Sequence, residues 1–553
     1  MNTTNTINKN KSTGEILRGF GRASVAMAVI TALCLSLNCN LAQARINLDP
    51  GDDPVGDGGG GGPAPAPPPP RQIAPPPSYA AWTSAHGGSD NSGFARVVTV
   101  PAVAPSAVVD VGPVAPGANP VTGRDGTVYI GNLNGELVAL HPDGSLYWKR
   151  KLEKPDGGMF GAIHASPVIS EDGSIFVVSG YGVRDHRDGA LPYSGFSFLH
   201  KFTPGGGWVG WTQFPEHYRA SGATKAPPNI WKYNGSEVIM IPVQFGNDNK
   251  FTQLVAFSTS LGVLGDLHVS PAGDITGEGP GWWNALVDTT VGIGKGIYCL
   301  NPVTASYHYI RYGAIDSGSC DGFGGFTTGP YIPADNIALY SYLGSPYGVA
   351  IRQRYADESP HIFVVDGLND TVELWFDVNT GFHPILRTHN AERVNLSPPV
   401  ALPWGIVIGK HTPHESLGGI SFEPEQRYLW LDGDIMAAPT VTPNGRIAAV
   451  ANTGWLSTVI QGGVEDQLWN NGASIASAAS SCTHLFVAVK NELVTYDLAS
   501  MQPVFRFAWT NGGNHSTIIG PLGHVYATTE HGIYVFPPEP NRDPKVVTGT
   551  QCT

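Results

Sequence analysis

The chain has 553 residues, of which only 14% are charged, against roughly 25% in an average soluble domain. Its 70 glycines and 46 prolines make it turn-rich, which excludes a long helical bundle, while 41% hydrophobic content with 10% aromatics excludes a charge-driven disordered protein. A formal charge of −13 with no basic segment excludes a nucleic-acid partner.

Residues 1–44 read as an export signal. Lys9, Lys11, Arg18 and Arg22 precede an uncharged apolar run from Ala23 to Leu37, and Ala42-Gln43-Ala44 offers a small-x-small cleavage site. The run is too short for a comfortable membrane span, so no transmembrane segment is expected after cleavage. A periplasmic or secreted location follows, with association to an outer membrane left open. Residues 45–81 form a spacer, glycine-rich from Gly58 to Gly62 and then proline-rich through Pro77, flexible in its first part and extended in its second.

From Trp82 to about residue 540 a unit repeats. Its clearest copy runs from Asn119 to Trp148, with Asp125-Gly126, Asn134-Gly135 and Asp143-Gly144 separating short β-rich runs. Such dipeptides are strong hairpin signals, and four antiparallel strands in about 35 to 45 residues describe one propeller blade. Further copies start at Ser166, Ser397, Ala438, Leu485 and Gly523, and looser ones are expected near 227–257, 284–311 and 330–376. The predicted fold is all-β, a single β-propeller of eight four-stranded blades, with seven as the other count. Val97 to Val100 is expected to pair with the C-terminal strand and close the ring, removing exposed edges.

Beyond the signal, Cys299, Cys320, Cys482 and Cys552 remain, an even number that suggests two disulfides in an exported chain. Pairing Cys299 with Cys320 would close a local loop. Pairing Cys482 with Cys552 would tie the tail, residues 541–553, onto a late strand. The mature chain has no C-x-x-C motif, and no metal site is expected.

The segment departing most from the repeat is Tyr307 to Tyr331. Its glycines, Gly324 and Gly325 among them, can turn backbone N–H groups toward an anion. Arg311 would bind a negatively charged substrate, and Asp316 or Asp321 would act as general base on a water. The same aspartates would equally serve as turn caps. A second cluster, His164, Tyr181, Arg184, Asp185 and His186, has the groups for β-elimination on a uronate polymer. The remaining histidines, including His361, His383, His389, His411 and His414, read as surface or blade-rim residues.

The unit Gly135-Glu136-Leu137-Val138-Ala139-Leu140, the closing Trp148 and the later Trp430, Trp469 and Trp509 resemble the repeat of quinoprotein-like (PQQ-type) propellers, and Trp82 with Gly87-Gly88-Ser89-Asp90-Asn91 resembles that family's leading segment. The resemblance spans about residues 82 to 536. Quinone dehydrogenases of this type stack their cofactor on an adjacent-cysteine disulfide, which is missing here, and His141 stands where the repeat has Asp, so no cofactor is expected. Low charge limits repulsion once carboxylates protonate, which suits an acidic exterior. In size, signal and repeat type the chain resembles the tetrathionate hydrolases of acidophilic sulfur oxidisers. That resemblance implies a small anionic substrate and a water-activating aspartate, with a homodimer left open. Two other functions fit the same ring: a non-catalytic scaffold for envelope protein assembly, and a polysaccharide lyase.

Overall fold

The computed structural model describes residues between Ala81 and Cys552, apart from 182–195, 270–295, 312–348 and shorter stretches in other loops. The described chain is all-β and contains eight sheets of the blade type. Blade 1 comprises Val121–Thr122, Val128–Gly131, Glu136–Leu140 and Leu146–Lys151, each strand antiparallel to the next. Blades 2 to 8 begin with inner strands at Val168–Ile169, Asn229–Tyr233, Ala350–Arg352, Val400–Leu402, Thr440–Val441, Ala479–Ser480 and Thr517–Ile519. In blade 5 an additional short strand, Val394–Asn395, pairs with the far end of Gly405–Thr412.

The hairpins form where the sequence supplies the turn. Gly126, Gly144, Gly173 and Gly445 sit at φ +85, +88, +84 and +78, conformations that disfavour a side chain. The residue before each aims its side-chain oxygen forward, as when Asp125 Oδ1 accepts the Thr127 N–H at 3.0 Å and Asp172 Oδ1 the Ser174 N–H at 2.9 Å.

Apolar clusters lie between successive blades. Tyr129 and Leu137 pack with Ile175 and Val177 between blades 1 and 2, and Phe176 and Leu199 with Ile239 and Val255 between blades 2 and 3. Equivalent clusters join blades 3 to 4, 4 to 5, 5 to 6 and 6 to 7. The largest joins blades 7, 8 and 1 through Phe486, Ile518, Val535, Val128 and Ile130, which completes the ring.

Three expectations need correction. The outer strand of blade 8 is Ala107–Asp110, paired with Gly532–Phe536, and not Val97 to Val100. Val97–Val98 pairs instead with Lys545–Val546, outside any blade. The stretch near 284–311 supplies no blade among the described residues. Gly296–Asn301 and Ser306–Arg311 pair only with each other, and eight blades are reached without them. The fourth blade lies at Ala350–Thr388, later than the 330–376 expected.

Among the described residues no helix is long and apolar enough to cross a membrane.

Candidate functional site

Inner strands of a propeller are edge strands whose second edge faces the central channel, so their outward N–H groups need partners. Here the chain supplies its own. Thr122, Ile169, Ile351, Ala401, Val441 and Ser480, each the second residue of its inner strand, donate their N–H to the carbonyls of Trp82, Thr83, Ser89, Asp90, Ser92 and Gly93 at 2.7 to 2.9 Å. In blade 3, Asn229 Nδ2 donates to the Ser89 carbonyl at 2.8 Å. Residues 82–93 thus follow the inside of the ring from blade 1 to blade 7 in order, and nearly all of them are buried.

The segment can make this circuit because of its composition. Asn91, at φ +55, bridges blades 4 and 5 by donating from Nδ2 to the carbonyls of Val349 at 3.2 Å and Pro399 at 3.1 Å. Gly87 and Gly93 also have positive φ. The His86 ring lies against Gly93, with Nδ1 at 2.8 Å from the Asn91 carbonyl and Nε2 at 3.3 Å from the Ala478 carbonyl. Burial pulls the His86 pKa down to about 3. Burial also raises that of Asp90, against the opposing pull of Arg352, while Asp90 Oδ1 accepts the Ser92 N–H at 3.2 Å. At this level the segment's backbone is bonded to the inner strands, while the buried Trp82 Nε1 has no hydrogen-bond partner.

The expected catalytic residues fall mostly outside the described region: Asp316, Asp321, Gly324, Gly325 and Cys320 all do. Arg311 is the last residue of its strand, opposite Gly296, and Cys299 lies opposite His308. The Cys482–Cys552 disulfide is present, with Cα atoms 5.3 Å apart. For the second cluster, an isolated bridge between Ala162 and Gly180 brings the chain before half-buried His164 beside the end of the strand Ile175–Tyr181. Arg184, Asp185 and His186 lie outside the described residues.

His361, expected at the surface or the blade rim, is 7% exposed, and its Nδ1 meets the Glu373 carboxylate on the neighbouring strand of blade 4. Neither this pair nor the lining of the channel follows from the sequence reading. For the lining, the available signal is a Trp followed by a polar, glycine-punctuated run ahead of the first repeat. For the pair, no spacing pattern betrays that two strands will bring His and Glu together. Among the described residues no group of His, Cys, Asp and Glu is arranged to hold a metal.

A sequence model of the family described as outer membrane protein assembly factor BamB matches residues 100–191, which hold the outer strand of blade 8, the first blade and part of the second. Among curated proteins none matches the chain. Similar solved structures include a europium-containing methanol dehydrogenase, with 10% identity, TM-score 0.40, and coverage of 81% of this chain and 88% of that one. Sqt1 of Saccharomyces cerevisiae shows 10% identity and TM-score 0.43 over 80% of this chain and 100% of its own. The computationally designed Ika8 protein shows 11% identity and TM-score 0.44 over 77% and 98%.

Proposed function

We propose that the chain is an exported hydrolase of a small sulfur oxyanion. Tetrathionate and water would yield thiosulfate, sulfate, sulfur and two protons, with Asp316 or Asp321 taking a proton from the attacking water. Arg311 and the backbone at Gly324 and Gly325 would hold the anion. The observation carrying this reading is the independence of ring and insert. Eight blades are built without residues 270–348, and the ladder Gly296–Arg311 leads in sequence directly toward Asp316. Purified protein should release thiosulfate from tetrathionate, assayed in acid at about pH 3 to 4 and again near neutrality. Asp316→Asn or Asp321→Asn should reduce turnover by about a hundredfold or more. No thiosulfate at either pH would end this reading.

A second reading, a non-catalytic scaffold in the cell envelope, is favoured by the match of residues 100–191 to an assembly-factor family and by the occupation of the inner face of the ring by residues 82–93. It predicts a specific envelope protein retained by the purified chain, and no turnover of tetrathionate.

A further inference from the structure

The segment that fills the channel leaves it through an arm, residues 93–99, gripped on two sides. On the blade 7 side, Gly93 and Ala95 bond the backbone of Ser480, and the Cys482 N–H donates to the Val97 carbonyl at 3.0 Å. Thr99 Oγ1 donates to Ser481 Oγ at 2.8 Å, and Thr483 Oγ1 to the Thr99 carbonyl at 2.7 Å. On the other side, Val97 and Val98 pair antiparallel with Val546 and Lys545 of the tail. The disulfide joins Cys482, beside the arm in blade 7, to Cys552 at the end of that tail, 70 residues later. The two neighbours of the arm are therefore fastened to each other.

We propose that the Cys482–Cys552 bond is a redox-operated clasp on the channel segment. A two-residue ladder is marginal alone, and the bond maintains it by keeping the tail at high local concentration. Once the bond opens, the tail strand departs and the arm loses one of its two sides, leaving the exit of the channel segment held by blade 7 alone. The opening step needs a dithiol reductant. One of its thiolates attacks Sγ of Cys552, the less buried of the two residues, and Cys482 leaves as a thiolate that takes up a proton. The second thiol of the reductant then displaces Cys552, so two electrons pass to the protein and the reductant ends as its own disulfide.

Amide hydrogen exchange on the full chain tests this, comparing the oxidised protein, the Cys552→Ser variant, and folded wild type reduced with dithiothreitol. Amides of residues 93–99 should exchange about tenfold faster or more without the bond, with those of Ile175–Tyr181 unchanged. Val546→Pro, which keeps the disulfide but disrupts the tail ladder, should reproduce the acceleration. Equal exchange of residues 93–99 in the oxidised and reduced protein overturns the proposal, and reduction of the folded wild type gives that answer even where Cys552→Ser fails to fold. Acceleration that is uniform over arm and blade 2 also overturns it, since that reports general destabilisation and no clasp.

Discussion

Gly93 shows how closely the channel segment fits. Its φ is +65, and an added Cβ would lie 2.2 Å from Cε1 of His86, a ring enclosed by the segment and blade 7. Backbone strain and overlap with an immobile ring act together, so Gly93→Ala should lower unfolding stability by about 2 to 4 kcal/mol. Denaturant titration followed by tryptophan fluorescence measures this. A change below about 0.5 kcal/mol, the scale of a neutral surface substitution, would mean that the segment sits loosely in the channel. The sequence shows a glycine at this position but not the ring it must accommodate, because His86 is fixed by carbonyls of Asn91 nearby and of Ala478, nearly four hundred residues away. Local turn chemistry is legible in a sequence, whereas contacts set by ring closure are not.

At the scale of elements, the blades that carry Asp-Gly or Asn-Gly hairpins are recognisable in the sequence, since a positive-φ glycine preceded by a side-chain acceptor is a local requirement. Ala107–Asp110 is not, because a short outer strand carries no turn signal of its own, and its partner is the last strand of the ring. The closing tryptophans divide similarly. Trp148 is 9% exposed, donates from Nε1 to the Pro204 carbonyl of blade 2 at 2.9 Å, and packs against Gly206, where an added Cβ would lie 2.7 Å from the indole. Trp509 donates from its own Nε1 to the carbonyls of Val489 and Lys490, but Trp430 is 44% exposed on its outer strand. The repeat therefore gives these residues equivalent places in sequence without equivalent packing. Trp148→Ala should cost about 3 to 5 kcal/mol, and Trp430→Ala less than about 1 kcal/mol. Thermal unfolding of the two variants side by side checks the ranking, and equal losses would refute it.

For the whole molecule, the sparse charge that suggests an acidic exterior meets an opposing effect from buried imidazoles. Burial pulls His86 and His200 down to about 3 and lowers His524 as well. A histidine whose folded pKa lies below its unfolded value near 6.5 stays neutral in the native state while the unfolded chain takes up the proton. For His86 and His200 the stability contribution is complete above pH 6.5 and is lost as pH falls from there toward 3, each ring giving up about 1.4 kcal/mol for every pH unit descended. The turn aspartates Asp143 and Asp497, held low chiefly by the hydroxyls of Ser145 and Ser500, lose their contribution only further down, as pH passes below the usual carboxylate range. The contributions of these histidines and aspartates should therefore be greatest near or above neutrality and decline in acid, while Asp90 and Glu237, raised by burial, act in the opposite sense. His200 permits a direct test. Its ring meets Phe160 edge-on at 4.6 Å, its Nε2 lies 2.8 Å from Ser179 Oγ, and its buried Nδ1 has no hydrogen-bond partner. His200→Phe removes one hydrogen bond, worth about 1 kcal/mol, together with the orphaned nitrogen, and Ser179 keeps its bond to the Phe160 carbonyl. The variant should match wild type within about 1 kcal/mol at neutral pH and lose distinctly less stability on acidification. Melting temperatures measured from neutrality down to about pH 4 decide the matter. If wild type melts as high in acid as at neutrality, the expected loss from neutral buried His86 and His200 is refuted.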